Sequence, residues 1–209
     1  MTDARARSQL LFTIGHSNYE LEVFIALLKE HRITAIADVR SQPYSRFAPQ
    51  FNRETLQDAL ERQEIRYVFL GTQLGARRVE PECYERGKAS RELIAGTPAF
   101  AEGIARVRRG MAGHRLALMC AEKDPLTCHR TLLVCRMMKD AQLDIRHILE
   151  DGRVETTSEA EERLLALVGL PDQELFRSRD ELVEAAYRRQ WERIACSEAE
   201  PTESGATVP

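Results

Sequence analysis

Thr127-Cys128-His129-Arg130 sets a hydroxyl, a thiol, an imidazole and a guanidinium in consecutive positions. At the first turn of a helix, free backbone N–H groups and the helix dipole attract anions and favour a thiolate over a thiol. In that setting Cys128 is a candidate nucleophile and His129 a proton carrier, while Arg130 and Thr127 can hold a negatively charged substrate. The competing reading makes Cys128 a small buried residue and Thr127 a simple helix cap.

Three further segments concentrate reactive types: Gly15-His16-Ser17, Asp38-Val39-Arg40-Ser41 and Cys120-Ala121-Glu122. His16 and Glu122 are candidate acids or bases, and Asp38 is a candidate base or the group that orients Arg40. Arg40, Ser17 and Ser41 complete the substrate-binding set. Each has a structural alternative as a cap or an ion pair, for example Asp38 with Arg130. Cys120 and Cys128 can also be brought together by a turn as a redox pair. Cys120, Cys128, His129 and His16 are donor types that zinc takes, but the Cys-x7-Cys-His spacing matches no common zinc module, so no metal is expected. Phosphate-loop, dinucleotide-binding, hydrolase-elbow and Cys-x5-Arg signatures are absent, and the residues specify no cofactor.

These groups fall at corresponding places in a repeating pattern. Short apolar runs at 10–14, 33–39, 65–70, 115–120 and 144–149 read as strands, and helical periods lie between them. Ser17 or Asn18 is placed to cap the first helix and Asn52 the second; Cys128–Lys139 reads as a helix after the fourth strand. Strands joined by helices need right-handed crossovers. The expected fold is therefore α/β, a mainly parallel sheet of about five strands with helices on both faces. In such a sheet, ligands bind beyond the carboxyl ends of the strands, which is where the reactive segments fall. Residues 1–152 form the α/β domain that carries the site. Residues 153–197 read as a helical extension docked through Leu164, Leu165, Leu175, Phe176 and Trp191, and 198–209 as a disordered tail.

Composition narrows the setting. The chain has 209 residues, 43% of them hydrophobic, with a net charge of −3. The acidic excess lies after residue 150, which leaves the main body mildly basic and rich in arginine. The run 10–14 is too short for a signal sequence and no stretch suits a membrane span. Five cysteines at irregular spacing argue against a disulfide framework. The cytoplasm is the expected compartment and no membrane is expected as a partner; nothing here fixes an oligomeric state.

Thr13-Ile14-Gly15-His16-Ser17, Asp38-Val39-Arg40-Ser41 with Pro43 and Ser45, Leu74-Gly75, Cys120-Ala121-Glu122, Cys128-His129-Arg130 and His147-Ile148 before Asp151-Gly152 together resemble the family called domain of unknown function 488. Order and spacing fit across residues 10–152, and Arg163-Leu164-Leu165 and Phe176-Arg177-Ser178-Arg179 resemble members with a helical continuation. The resemblance implies an α/β fold and a shared site at His16, Ser17, Asp38, Arg40, Cys120, Glu122, Cys128, His129 and Arg130, without an activity. Ala76 stands where the family often has a second glycine after Leu-Gly. Residues and resemblance together lead to an expected enzyme acting on an anionic substrate: a nucleotide, a nucleic-acid component or another phosphorylated metabolite. The alternatives are a non-catalytic ligand- or nucleic-acid-binding regulatory module and a thiol redox sensor.

Overall fold

Leu11 and Phe12 are adjacent and both buried, yet they belong to separate cores on opposite faces of one sheet. The alternation repeats along each central strand: Ala35 and Ala37 face one core and Ile36 the other, as do Leu116 and Leu118 against Ala117 and Met119. Strands buried on both faces need helices on both sides, which is why their sequences read as continuous apolar runs.

In the computed structural model, which describes residues 9–140 and 142–197, the first half runs β1 (Gln9–Gly15), α1 (Leu21–Glu30), β2 (Ala35–Asp38), α2 (Arg53–Glu61), β3 (Arg66–Phe69) and the short α3 (Gly71–Leu74). A small hairpin of β4 (Tyr84–Glu85) and β5 (Lys88–Ala89) precedes α4 (Arg91–Ala95), α5 (Pro98–Gly113) and β6 (Leu116–Cys120). A π-helical turn, Arg130–Cys135, continues into α6 (Arg136–Met138). The chain then forms β7 (Leu143–Ile148), β8 (Val154–Thr156), α7 (Thr157–Val168) and α8 (Arg179–Ile194). The main sheet has the order β3-β2-β6-β1-β7-β8. It is parallel except for β8, which pairs antiparallel with β7. Helices α1 and α2 cover one face; α5, α6, α7 and α8 cover the other.

The fold is the expected α/β class with one strand added. Val154–Thr156 joins the edge of the sheet through the turn at Asp151-Gly152, where Gly152 has φ +79°. Two capping expectations are corrected. Glu20 precedes α1 and makes no side-chain cap, and Asn52 accepts a hydrogen bond from Ser45 N at 2.7 Å instead of capping α2. The helix expected from Cys128 begins two residues later, because Cys128 itself is extended at φ −130°, ψ 139°.

The C-terminal helices dock through Leu164, Leu165, Leu182, Val183, Ala186 and Trp191. Trp191 Nε1 donates to Ala89 O at 2.9 Å. Leu175 and Phe176 do not dock: they are 86% and 88% exposed. The Gly169-Leu170-Pro171 break removes them from the helical period, and α8 starts at Arg179 behind a Ser178–Glu181 capping box. The tail expected at 198–209 lies outside the described residues. Among the described residues no helix is long and apolar enough to cross a membrane.

Candidate functional site

The three central strands β2, β6 and β1 end side by side. Val39 N bonds Met119 O, while His16 N and Ser17 N bond Cys120 O and Ala121 O. This register carries Asp38, Cys120 and His16 to one rim. Gly15 permits it, since a Cβ there would collide with the carbonyl of Glu122.

At the β2 end, Asp38 is fully occupied. Its Oδ1 accepts from Arg40 N at 3.0 Å and Nε at 2.9 Å; its Oδ2 accepts from Arg40 Nη2 and from Tyr67 Oη, each at 2.6 Å. Burial opposes the charge on Arg40, but the Asp38 carboxylate more than restores it, so the guanidinium is held firmly ionised. Arg40 Nη1 lies 3.1 Å from His16 Nε2 and His16 Nδ1 lies 2.8 Å from Ser17 O. The carbonyl fixes the proton on Nδ1, so Nε2 accepts from Arg40. Burial, then the Arg40 charge, push His16 down to about 4. It is a neutral imidazole, stacked on Phe51 with centroids 4.3 Å apart. Asp38 and His16 therefore position Arg40, and neither has a free lone pair for proton transfer.

At the β6 end the chain turns through residues 121–127. Glu122 Oε2 accepts from Cys120 Sγ at 3.1 Å and from Cys128 Sγ at 3.2 Å. His129 Nδ1 lies 3.5 Å from Cys120 Sγ, and His129 Nε2 donates to Val39 O at 2.9 Å. Burial, then the adjacent Cys128, push the Cys120 thiol well up. Burial also opposes ionisation of Cys128, but Cys120, Arg130 and His129 outweigh it and hold that thiol well below its usual range. Burial and Cys128 raise Glu122; burial lowers His129, but Cys128 raises it further. Cys128 is thus the more acidic of the two thiols.

Arg130 is fully buried, and its role differs from the expected one. It neither binds Asp38 nor reaches the cavity. Nη1 donates to Glu122 O at 2.5 Å, Nη2 to Lys123 O at 3.1 Å and Nε to Thr13 Oγ1 at 3.4 Å. It holds the turn by its backbone. Two residues outside the sequence-derived set hold the same turn. Arg163 of α7 forks onto Asp124 at 2.8 and 3.0 Å, and Gln190 of α8 donates to Leu126 O at 2.8 Å.

A cavity of about 290 Å³ opens above this rim. Arg40 and Ser41 line it from the β2 side, Cys120 and Glu122 from β6, and Thr127 and His129 from the turn. Arg77 adds a second guanidinium; its backbone N donates to Ser41 Oγ at 2.9 Å. Ala76 also faces the cavity. The far wall is Trp191, Ile194, Ala195 and Cys196 from the end of α8, which no local sequence signal identifies. Cys128 is 1% exposed and sits behind Cys120, out of the lining. Asp38 and His16 are buried too, and Ser17 turns away to bond Asn18 at 3.2 Å.

A family model described as domain of unknown function DUF488 matches residues 20–137. No curated protein and no solved structure matches the chain.

Proposed function

This chain belongs to the DUF488 family, and we propose that it is an enzyme acting on an anionic substrate, a nucleotide, a nucleic-acid component or another phosphorylated metabolite. The observation that carries this reading is the composition of the cavity wall, where the Arg40 guanidinium meets Cys120, Glu122 and His129.

A guanidinium has five N–H groups. Asp38 and His16 engage three of Arg40's through Nε, Nη2 and Nη1, which leaves one on each terminal nitrogen for a ligand. A buried, fixed guanidinium offering two donors suits a phosphate or carboxylate, with Arg77 on the same wall. Glu122, whose carboxyl is raised by burial and by Cys128, stands at the cavity wall where it can give or take a proton. His129 is the second candidate. Burial gives Cys128 an indirect part, tuning Glu122 from beneath rather than attacking the substrate. The meeting of Cys120 and Cys128 on one carboxylate oxygen supports a second reading, a thiol redox sensor.

The test is the thermal stability of the full chain against nucleotides, sugar phosphates and inorganic phosphate. A ligand at a hundred times its Kd stabilises by about 2.7 kcal/mol. That gain should vanish in Arg77→Ala and weaken in Arg40→Lys, and turnover of the stabilising compound is then followed by mass spectrometry. If no anion stabilises the protein, or if both variants respond like the parent, the reading fails.

A further inference from the structure

We propose that Cys120, Glu122, Cys128 and His129 form a four-ligand site for a divalent metal ion of the zinc class. The inference goes beyond the anion-binding reading and does not depend on it.

The four donor atoms, two Sγ, one carboxylate oxygen and one imidazole nitrogen, all lie within 4.8 Å of one another. The closer pairs are 3.1, 3.2 and 3.5 Å apart. A tetrahedral zinc with bonds of about 2.3 Å to sulfur and about 2.0–2.1 Å to nitrogen and oxygen spaces its ligands by roughly 3.3–3.8 Å. The three closer pairs therefore need shifts of only tenths of an ångström to close on an ion, and the widest, at no more than 4.8 Å, about one ångström. Thiolate and imidazole donors select zinc and similar transition metals over magnesium and calcium.

The surroundings support the same conclusion. His129 donates from Nε2 to the carbonyl of Val39, which leaves the Nδ1 lone pair directed at the thiols. A ligating histidine oriented by a carbonyl on its other nitrogen is the usual arrangement in metal sites. The charges also balance. Arg130 is wholly buried, and its guanidinium donates to two backbone carbonyls and a hydroxyl, with no carboxylate among its hydrogen-bond partners. A buried cation needs a counter-charge. Two thiolates and one carboxylate exceed a divalent ion by one negative charge, which the Arg130 guanidinium neutralises.

Linear spacing conceals the site. In common zinc modules two ligands share one tight knuckle. Here Cys120 ends a strand, Cys128 and His129 precede a helix, and the intervening turn folds Glu122 between them. The expectation of no metal followed from the spacing alone. Cys120, Glu122 and His129 also line the cavity, so an ion held there would face its contents, with Glu122, an exposed residue whose carboxyl nonetheless lies among the thiols, as its outermost ligand.

The experiment uses the full chain, kept reduced, stripped with chelator and titrated with Co²⁺. Expected are about one equivalent bound, a thiolate-to-cobalt charge-transfer band and strong tetrahedral visible bands, all lost on adding Zn²⁺. Cys128→Ser and His129→Gln should abolish the bands, whereas Cys135→Ser, which removes a buried thiol outside the cluster, should keep them. Because a buried variant can misfold, Glu122→Gln is the surface-accessible check: it should stay folded by circular dichroism and bind cobalt at least about tenfold more weakly. A folded parent that shows no charge-transfer band and retains under about one-tenth of an equivalent overturns the proposal. So does a band that persists in the Cys120→Ser, Cys128→Ser double variant. Arg77→Ala should bind cobalt like the parent. Cobalt binding without any anion binding therefore removes only the substrate reading.

Discussion

Arg130 donates from Nη1 to the carbonyl of Glu122 at 2.5 Å, so a guanidinium expected to hold a ligand instead holds the backbone of a residue at the site. The same side chain reaches Lys123 O and Thr13 Oγ1, and thereby ties the turn after β6 to β1.

Arg130→Met should therefore act on stability before function. It takes the donor from the Glu122 and Lys123 carbonyls and removes the buried positive charge beside Cys128, a loss of about 3–5 kcal/mol. Urea denaturation measures it. A loss under about 1 kcal/mol would mean that the turn is held by Arg163 and Gln190 alone.

His147 gives a pH signature. It is buried beneath the sheet end with Nδ1 2.8 Å from Thr13 Oγ1. Burial first, and Arg130 second, push it down to about 3. The folded state then stays neutral where the unfolded state takes up a proton. Its contribution is fully present above about pH 6.5 and is lost as pH falls toward the folded value, at up to about 1.4 kcal/mol per pH unit. His147→Gln should flatten the stability profile between about pH 6 and 4. Identical slopes in parent and variant would contradict the assignment.

Two aromatic residues of the C-terminal part should differ sharply. Trp191→Ala removes a buried indole and its bond to Ala89 O, at a cost of about 3–5 kcal/mol. Phe176→Ser, at an 88% exposed position, should change stability by less than about 0.5 kcal/mol. Paired denaturation curves decide; comparable losses would place Phe176 in a contact that the structure does not contain.

Thiol chemistry should follow burial. Cys135 is buried and its thiol is pushed up to about 12. Iodoacetamide should leave it unmodified in the folded chain while labelling the half-buried Cys196 at the cavity wall. Peptide mass spectrometry reads both sites, and equal labelling would show that the inner core opens as readily as the cavity.

The sheet was legible because apolar runs such as 115–120 are long enough to announce strands without tertiary help. β8 was not, because three residues carry no period and their pairing depends on the Gly152 turn. The rim was legible through the strand-end rule, which brought Arg40, Cys120, Glu122 and His129 toward one place. The direction of individual side chains was not. Arg130 follows an extended Cys128 and enters a π-helical turn, and that geometry, invisible in residue types, sends its guanidinium inward. Phe176 misled because an apolar residue beyond a Gly-Leu-Pro break no longer shares the phase of the helix that follows.

The far wall of the cavity comes from the end of α8 and the two residues after it, outside residues 20–137 that the family model matches. The floor of the cavity, Cys120, Glu122 and His129, thus falls within the residues that the family model matches, and the wall of Trp191, Ile194, Ala195 and Cys196 falls beyond them. Mutation can reshape that wall, and with it what enters, while the floor stays as it is.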